Sequence, residues 1–124
     1  MYGIPKADRL SYFLAGKASI LIVTLSGSFI RESIPIMERC HKEVMVSAAK
    51  WTILNLLDVS PDMEKVAVPV FARLQKAVRA KPSTLRLSSV HPELRKFLEA
   101  QGLLRVEELA NSLTEALKSL DRTG

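Results

Sequence analysis

Residues 51–71, WTILNLLDVSPDMEKVAVPVF, read as three elements in succession. Residues 52–56 are apolar enough for a strand buried on both faces, 58–64 form an acidic turn, and an amphipathic helix begins near Val66. Pro69 argues against a helix running from Pro61, because an interior proline removes a hydrogen bond and clashes with the preceding turn. Residues 61–65 therefore read as a loop or short turn. Strand, turn and helix in that order form the unit of open α/β folds, whose ligands and partners meet the carboxyl ends of the strands. The turn holds Ser60, Asp62 and Glu64 but no glycine, histidine or cysteine, which suits a contact surface better than a chemical centre.

Working outward, residues 9–14 alternate like a half-buried strand, Gly16 marks a turn, and 19–25 are nearly all apolar, predicting an antiparallel hairpin. Ser26-Gly27-Ser28 then reads as a loop. Ser33 offers a helix N-cap, Pro35 falls in the first turn, and Ile36, Met37, Cys40, Val44 and Ala48 share one helical face. In the helix after the acidic turn, Val70, Leu74, Ala77 and Val78 fall together; Pro82-Ser83 ends it, and 84–87 form a fourth strand. Pro92 suits a helix start, Leu94, Phe97 and Leu98 form its apolar face, and Gly102 fits a left-handed terminus that lets Leu103 pack back on Leu98. Residues 103–106 read as a fifth strand. A last helix carries Leu109, Leu113, Ala116, Leu117 and Leu120 on one face, with Glu107 and Glu108 in its first turn and Lys118 in its last. The order β-β-α-β-α-β-α-β-α predicts an α/β fold, a single mixed sheet packed with four helices over residues 8–120, with 1–7 and 121–124 as loose termini.

Composition agrees. Of 124 residues, 48% are apolar and 25% charged, which excludes a disordered chain. Cys40 stands alone, so no intrachain disulfide is possible; it reads as a buried structural thiol, and a cytoplasmic location fits. Residues 18–30, ASILIVTLSGSFI, are similar to the apolar part of a signal peptide, but their β-branched content and the alternating segment before them favour a strand. No apolar run approaches the roughly 20 residues of a membrane-spanning helix.

Four places in this pattern resemble the STAS domain, the family of anti-sigma factor antagonists and sulfate-transporter tails. Ile22-Val23-Thr24-Leu25-Ser26-Gly27 is similar to the family's second strand and its glycine, and Ile53-Leu54-Asn55-Leu56 to its third strand. His91-Pro92-Glu93-Leu94-Arg95-Lys96-Phe97-Leu98 with Gly102-Leu103 resembles its late helix, and the terminal amphipathic helix also matches. The resemblance implies a regulatory domain binding a protein partner, often a kinase-type anti-sigma factor. It also implies a phosphorylatable serine at the start of the helix after the third strand. This chain departs from that: Glu64 falls at the family's phospho-acceptor in the ungapped register, and Met63 in a register slipped by one. Ser60 lies three or four residues too early. A fixed negative charge at Glu64 would approximate the modified state, since phosphorylation adds roughly −1.5 to −2 charge; alternatively, Glu64 is simply a favourable acid in a first helical turn.

Charge is uneven. No acid lies between Glu64 and Glu93, whereas Lys65, Arg73, Lys76, Arg79, Lys81 and Arg86 do, in a chain of formal net charge +5. Arg73, Lys76 and Arg79 are expected opposite the core, either as a solvated face or as a docking surface for an acidic partner. Nucleic acid is disfavoured because aromatics are not interleaved with the basic run. His41 and His91 are far apart, no metal-ligand spacing is present, and no cofactor or enzymatic activity is expected. The expected partner surface comprises Arg31, Glu32, Ser33, Ser60, Asp62, Met63, Glu64 and Lys65, with Arg73 and Lys76 at its rim and Met63 as an apolar anchor. The expected partner is an anti-sigma factor of the kinase type or a transporter ATPase; homodimerisation and a small-ligand or nucleotide sensor remain alternatives.

Overall fold

The computed structural model describes residues 9–17, 19–81 and 83–121. Strands β1 (Ser11–Lys17), β2 (Ile20–Phe29), β3 (Trp51–Met63), β4 (Thr84–Ser88) and β5 (Leu109–Ala110) form one sheet in sequence order. β1 pairs antiparallel with β2, and the other neighbours are parallel, giving the expected mixed sheet. Helices α1 (Ile34–Met45), α2 (Val68–Ala80) and α3 (Pro92–Ala100) connect the parallel strands, and α4 (Leu113–Asp121) closes the described chain. Residues 1–7 and 122–124, expected to be loose, lie outside the described residues, while Asp121 still belongs to α4.

Alternation along the central strands assigns each face its cover. Val23, Leu25, Leu54, Leu56, Leu85 and Leu87 point to one side, where Met37, Cys40 and Val44 of α1, Phe71, Leu74 and Val78 of α2, and Leu94 and Leu98 of α3 complete the main core. Ile53 and Ala110 point to the other side, against Ala116 and Leu120 of α4. Three crossover helices therefore share one face and the last helix takes the opposite one. Phe29, at the end of β2, meets Phe71 edge-to-face with ring centroids 5.2 Å apart, fastening the carboxyl end of the sheet to α2.

Several boundaries differ from the sequence expectation. Gly16 lies inside β1, opposite Leu21. β2 runs through Ser26-Gly27-Ser28 instead of ending there, and β3 extends to Met63, absorbing most of the expected acidic turn. α2 starts at Val68 after a 3-10 turn (Lys65–Ala67), which puts Pro69 in the first helical turn where its missing N–H is harmless. α1 stops at Met45, leaving Ala48 exposed; Lys81 Nζ donates to the carbonyls of Val44 (2.9 Å) and Ser47, satisfying orphan acceptors at the helix end. The end of α3 follows expectation. Gly102 has φ +72°, its N–H donates to Glu99 O at 2.9 Å, and Leu103 N–H donates to Leu98 O at 3.0 Å.

The last third needed a contact that no local pattern shows. Residues 103–106 do not form a strand; β5 is only Leu109–Ala110, preceded by a 3-10 turn (Val106–Glu108). Glu108 is buried within that turn, not in a helix, and grips Arg79 of α2 through two bonds of 3.0 and 2.7 Å. Arg79 also donates to Leu103 O at 3.3 Å. Arg79 thus faces inward and ties α2 to the segment that leads into β5. Removing one member leaves the other charge buried and unpaired, so Glu108→Gln should lower stability by about 3 kcal/mol. Arg79→Met combined with Glu108→Leu should recover most of that loss in urea unfolding; equal losses in the single and double variants would refute the pairing.

Cys40 is 1% exposed, and burial followed by the nearby Glu43 carboxylate pushes its thiol up to about 12. The Tyr12 hydroxyl is also raised to about 12, by desolvation and then by its hydrogen bond to Glu43. Both groups ionise earlier in the unfolded chain, near 8.5 for a thiol and 10 for a phenol. The unfolded state therefore sheds protons first, and stability present below the unfolded values falls as pH rises toward 12. Urea midpoints should decline from about pH 8 to about pH 10.5, a range spanning both unfolded values, and Cys40→Ala should flatten the slope. An unchanged slope would remove the thiol from this account.

Candidate protein-binding surface

The surface begins with a mismatch between two parallel strands. Ile20 faces Trp51 and Phe29 faces Met63, so nine steps along β2 are matched by twelve along β3. The register shifts between Thr24 and Ser26 and again between Gly27 and Phe29. At the second shift Gly27 has φ +99°, a conformation glycine adopts without a Cβ penalty. Pro61 falls in the irregular stretch between Val59 and Met63 and beyond the end of the β3–β4 ladder at Asn55–Ser88, where no ladder pair calls for its missing N–H. The largely polar residues 58–62, in which only Val59 reaches the core, are strand because β2 continues beside them. Ser60 Oγ accepts from Asp62 N–H at 3.3 Å within this stretch.

The two strands then release their loops side by side. Glu64 N–H donates to Phe29 O at 2.9 Å, and Arg31 N–H donates to Glu64 Oε1 at 2.7 Å. Arg31 opens a 3-10 turn (Arg31–Ser33), so its N–H would otherwise be an orphan donor; the Glu64 carboxylate caps it from another loop. The β2–α1 and β3–α2 connections are thereby joined at one edge of the sheet. That edge carries exposed Arg31, Glu32, Asp62, Glu64 and Lys65, with Val66 beside them and Ser60 half-buried.

Two expected contact residues point inward. Ser33 is fully buried, and its hydroxyl makes no N-cap bond; it accepts from Leu10 N–H at 2.8 Å and donates to Ser28 O at 2.7 Å, pinning the entry to β1 against the loop. Met63 is 9% exposed and packs in the main core, where it supports the edge without offering an anchor from it. Arg73 and Lys76 are exposed on α2, and Arg73 lies 3.8 Å from Glu38 of α1. That pair is half-exposed on both sides, a setting in which ion pairs contribute about 0–1 kcal/mol. Glu38 is not among the expected contact residues, because only the packing of α1 on α2 brings it beside Arg73.

The basic run divides accordingly. Arg79 is spent on Glu108, Lys81 on the end of α1, and Arg86 on Ser119 Oγ (3.3 Å) and Leu85 O (3.1 Å). Lys65, Arg73 and Lys76 remain exposed. Beside Glu32, Glu38, Asp62 and Glu64 they make a mixed-sign surface. Among the described residues no three His, Cys, Asp or Glu side chains gather as a metal site requires, and no helix is long and apolar enough to cross a membrane.

Comparison with known proteins agrees with this architecture. An anti-sigma factor antagonist from Mycobacterium paratuberculosis superposes with a TM-score of 0.76 at 17% identity, over 90% of this chain and 94% of the other. A sulfate transporter family protein from Wolinella succinogenes gives 0.74 at 19% identity, over 87% and 89%. The Bacillus cell fate determinant SpoIIAA in its phosphorylated form gives 0.66 at 16%, over 92% and 100%. No curated protein sequence matches the chain. The STAS domain model matches residues 14–116, spanning the sheet from β1 to β5 and reaching into α4, and the chain therefore belongs to the STAS domain family.

Proposed function

We propose that this STAS domain is a regulatory protein-binding module of the anti-sigma factor antagonist kind, whose partner docks on the edge formed by the two joined loops and α2. Arg31, Glu32, Asp62, Glu64 and Lys65 form the centre of this surface, Ser60 flanks it, and Arg73 and Lys76 form its rim. The carrying observation is the bond from Arg31 N–H to the Glu64 carboxylate at 2.7 Å. A carboxylate at the position that resembles the family's phospho-acceptor supplies permanent charge there and holds the neighbouring loop in one arrangement. In this reading the switch is fixed: the surface stays in a single charge state where a serine would alternate between neutral and roughly −2. A lone buried thiol suits a cytoplasmic setting.

A second reading, an accessory subunit of a transporter ATPase, is supported by the comparable likeness to the sulfate transporter family protein. Both readings use the same edge, and the partner's identity separates them.

An affinity capture from native lysate tests the proposal with wild type, Glu64→Lys and Glu64→Gln, quantifying partners by mass spectrometry. Glutamine keeps an acceptor for Arg31 N–H but removes the charge. The expected result is capture of a histidine-kinase-like anti-sigma factor, or a transporter ATPase, by wild type, with loss of about tenfold or more in Glu64→Lys. A smaller loss in Glu64→Gln would measure the charge apart from the loop clamp. Equal capture by all three proteins would remove Glu64 from the interface.

A further inference from the structure

We propose a second docking site, separate from the loop edge: the free edge of β1, with the groove beside α1, receives an extended segment of another protein as an added strand, acidic on the side facing α1 and apolar on the side facing Phe13. The order of the sheet leaves β1 and β5 at its edges. An edge strand presents a row of unpaired N–H and C=O groups, and native proteins blunt such edges by keeping them short, charging them, or bending them with proline or bulges. β5 is two residues long, which blunts it. β1 runs for seven residues with Phe13-Leu14-Ala15 at its middle, contains no proline, and keeps an unbroken register against β2. Its charges, Arg9 and Lys17, stand only ahead of the strand and at its end. Among the described residues nothing pairs with its outer side. Strand addition at an edge of this kind draws affinity from main-chain hydrogen bonds and specificity from alternate side chains, which fall on opposite faces of the sheet.

The two faces differ in what they offer. On the main-core face an added strand meets a groove of about 530 Å³ between β1 and α1, lined by Leu10, Tyr12, Leu14, Ile36, Arg39 and Glu43. The groove continues past Arg9. Glu43 is engaged by the Tyr12 hydroxyl. Arg9 and Arg39 are exposed, and neither side chain is hydrogen-bonded or ion-paired among the described residues. In this they differ from Arg79 and Arg86, whose guanidinium groups are spent inside the fold. Unspent guanidinium groups beside one engaged carboxylate favour an acidic side chain on this face.

On the opposite face Phe13 is 67% exposed. The cluster under α4 reaches Ile20 and Ile22 of β2 and leaves Phe13 uncovered. An apolar side chain on the added strand would pair with this ring across the edge, as sheets favour. Charge argues against a second copy as the occupant, since another β1 brings Arg9 and Lys17 to the edge where acids are wanted.

An NMR titration of the ¹⁵N-labelled full chain tests the proposal, using a short synthetic peptide that alternates aspartate with valine and a counterpart that alternates lysine with valine. The expected result is saturable shifts at the backbone amides of residues 11–17 and at Arg39, with Glu64 and Lys65 of the loop edge unmoved. The lysine peptide should bind at least about tenfold more weakly. Arg39→Glu and Phe13→Ser alter exposed positions and leave the fold intact. The first should weaken the aspartate peptide about tenfold or more, and the second about threefold. Shifts absent from β1, or confined to the loop edge, would overturn the site. Equal binding of the lysine peptide would overturn the acidic assignment, and unchanged affinity in both variants would place the peptide elsewhere. Shifts along β1 that grow with protein concentration in the peptide-free chain would give the edge to a second copy and overturn the proposed occupant.

Discussion

The parallel pairing of β2 with β3 is the constraint on which the rest depends. These two strands form the longest ladder of the sheet, from Ile20 beside Trp51 to Phe29 beside Met63. Three extra residues on β3 must be absorbed before Met63 reaches Phe29, and the irregularities around Thr24 and Gly27 absorb them. Only then does Glu64 arrive where its N–H meets Phe29 O and its carboxylate meets Arg31 N–H. With a simple register β3 would reach the end of β2 three residues earlier, and the two loops would not be clamped. The Phe29–Phe71 contact beneath them transmits this placement to α2.

Electrostatics works at two levels in this chain. The buried Arg79–Glu108 pair acts as a tether, costly to desolvate and costlier to break, that commits α2 to the segment ahead of β5. The exposed charges around Glu64 contribute little to stability, and in the proposed function they set partner choice. Clamping Glu64 to a backbone N–H is a compromise between the two. One carboxylate oxygen organises the loop, and the carboxylate remains exposed at the surface.

Much of the architecture was legible because it rests on local physics. The hairpin, the apolar faces of α1 and α2, the terminus at Gly102 and the displacement of a helix start by Pro69 all follow from periodicity and backbone restriction within a few residues. The strand limits were hidden, because residues 58–62 are polar apart from Val59 and contain Pro61, and only the neighbouring continuation of β2 makes them strand. Glu108 looked like a helix-start acid and Arg79 like an outward charge, since their partnership spans 29 residues. Ser33 and Met63 were placed in the right region, but whether a side chain turns outward there depends on Leu10 and the core.

The account's central claim is that the edge built by the Glu64–Arg31 clamp and α2 is where a protein partner binds. Hydrogen exchange by mass spectrometry, comparing the free chain with its captured complex, reads this directly. Protection concentrated in residues 31–33, 60–67 and 68–76, with β1 and α4 unchanged, is the result the account predicts. Protection confined to β1 or α4, with the loop edge exchanging as in the free chain, would contradict it.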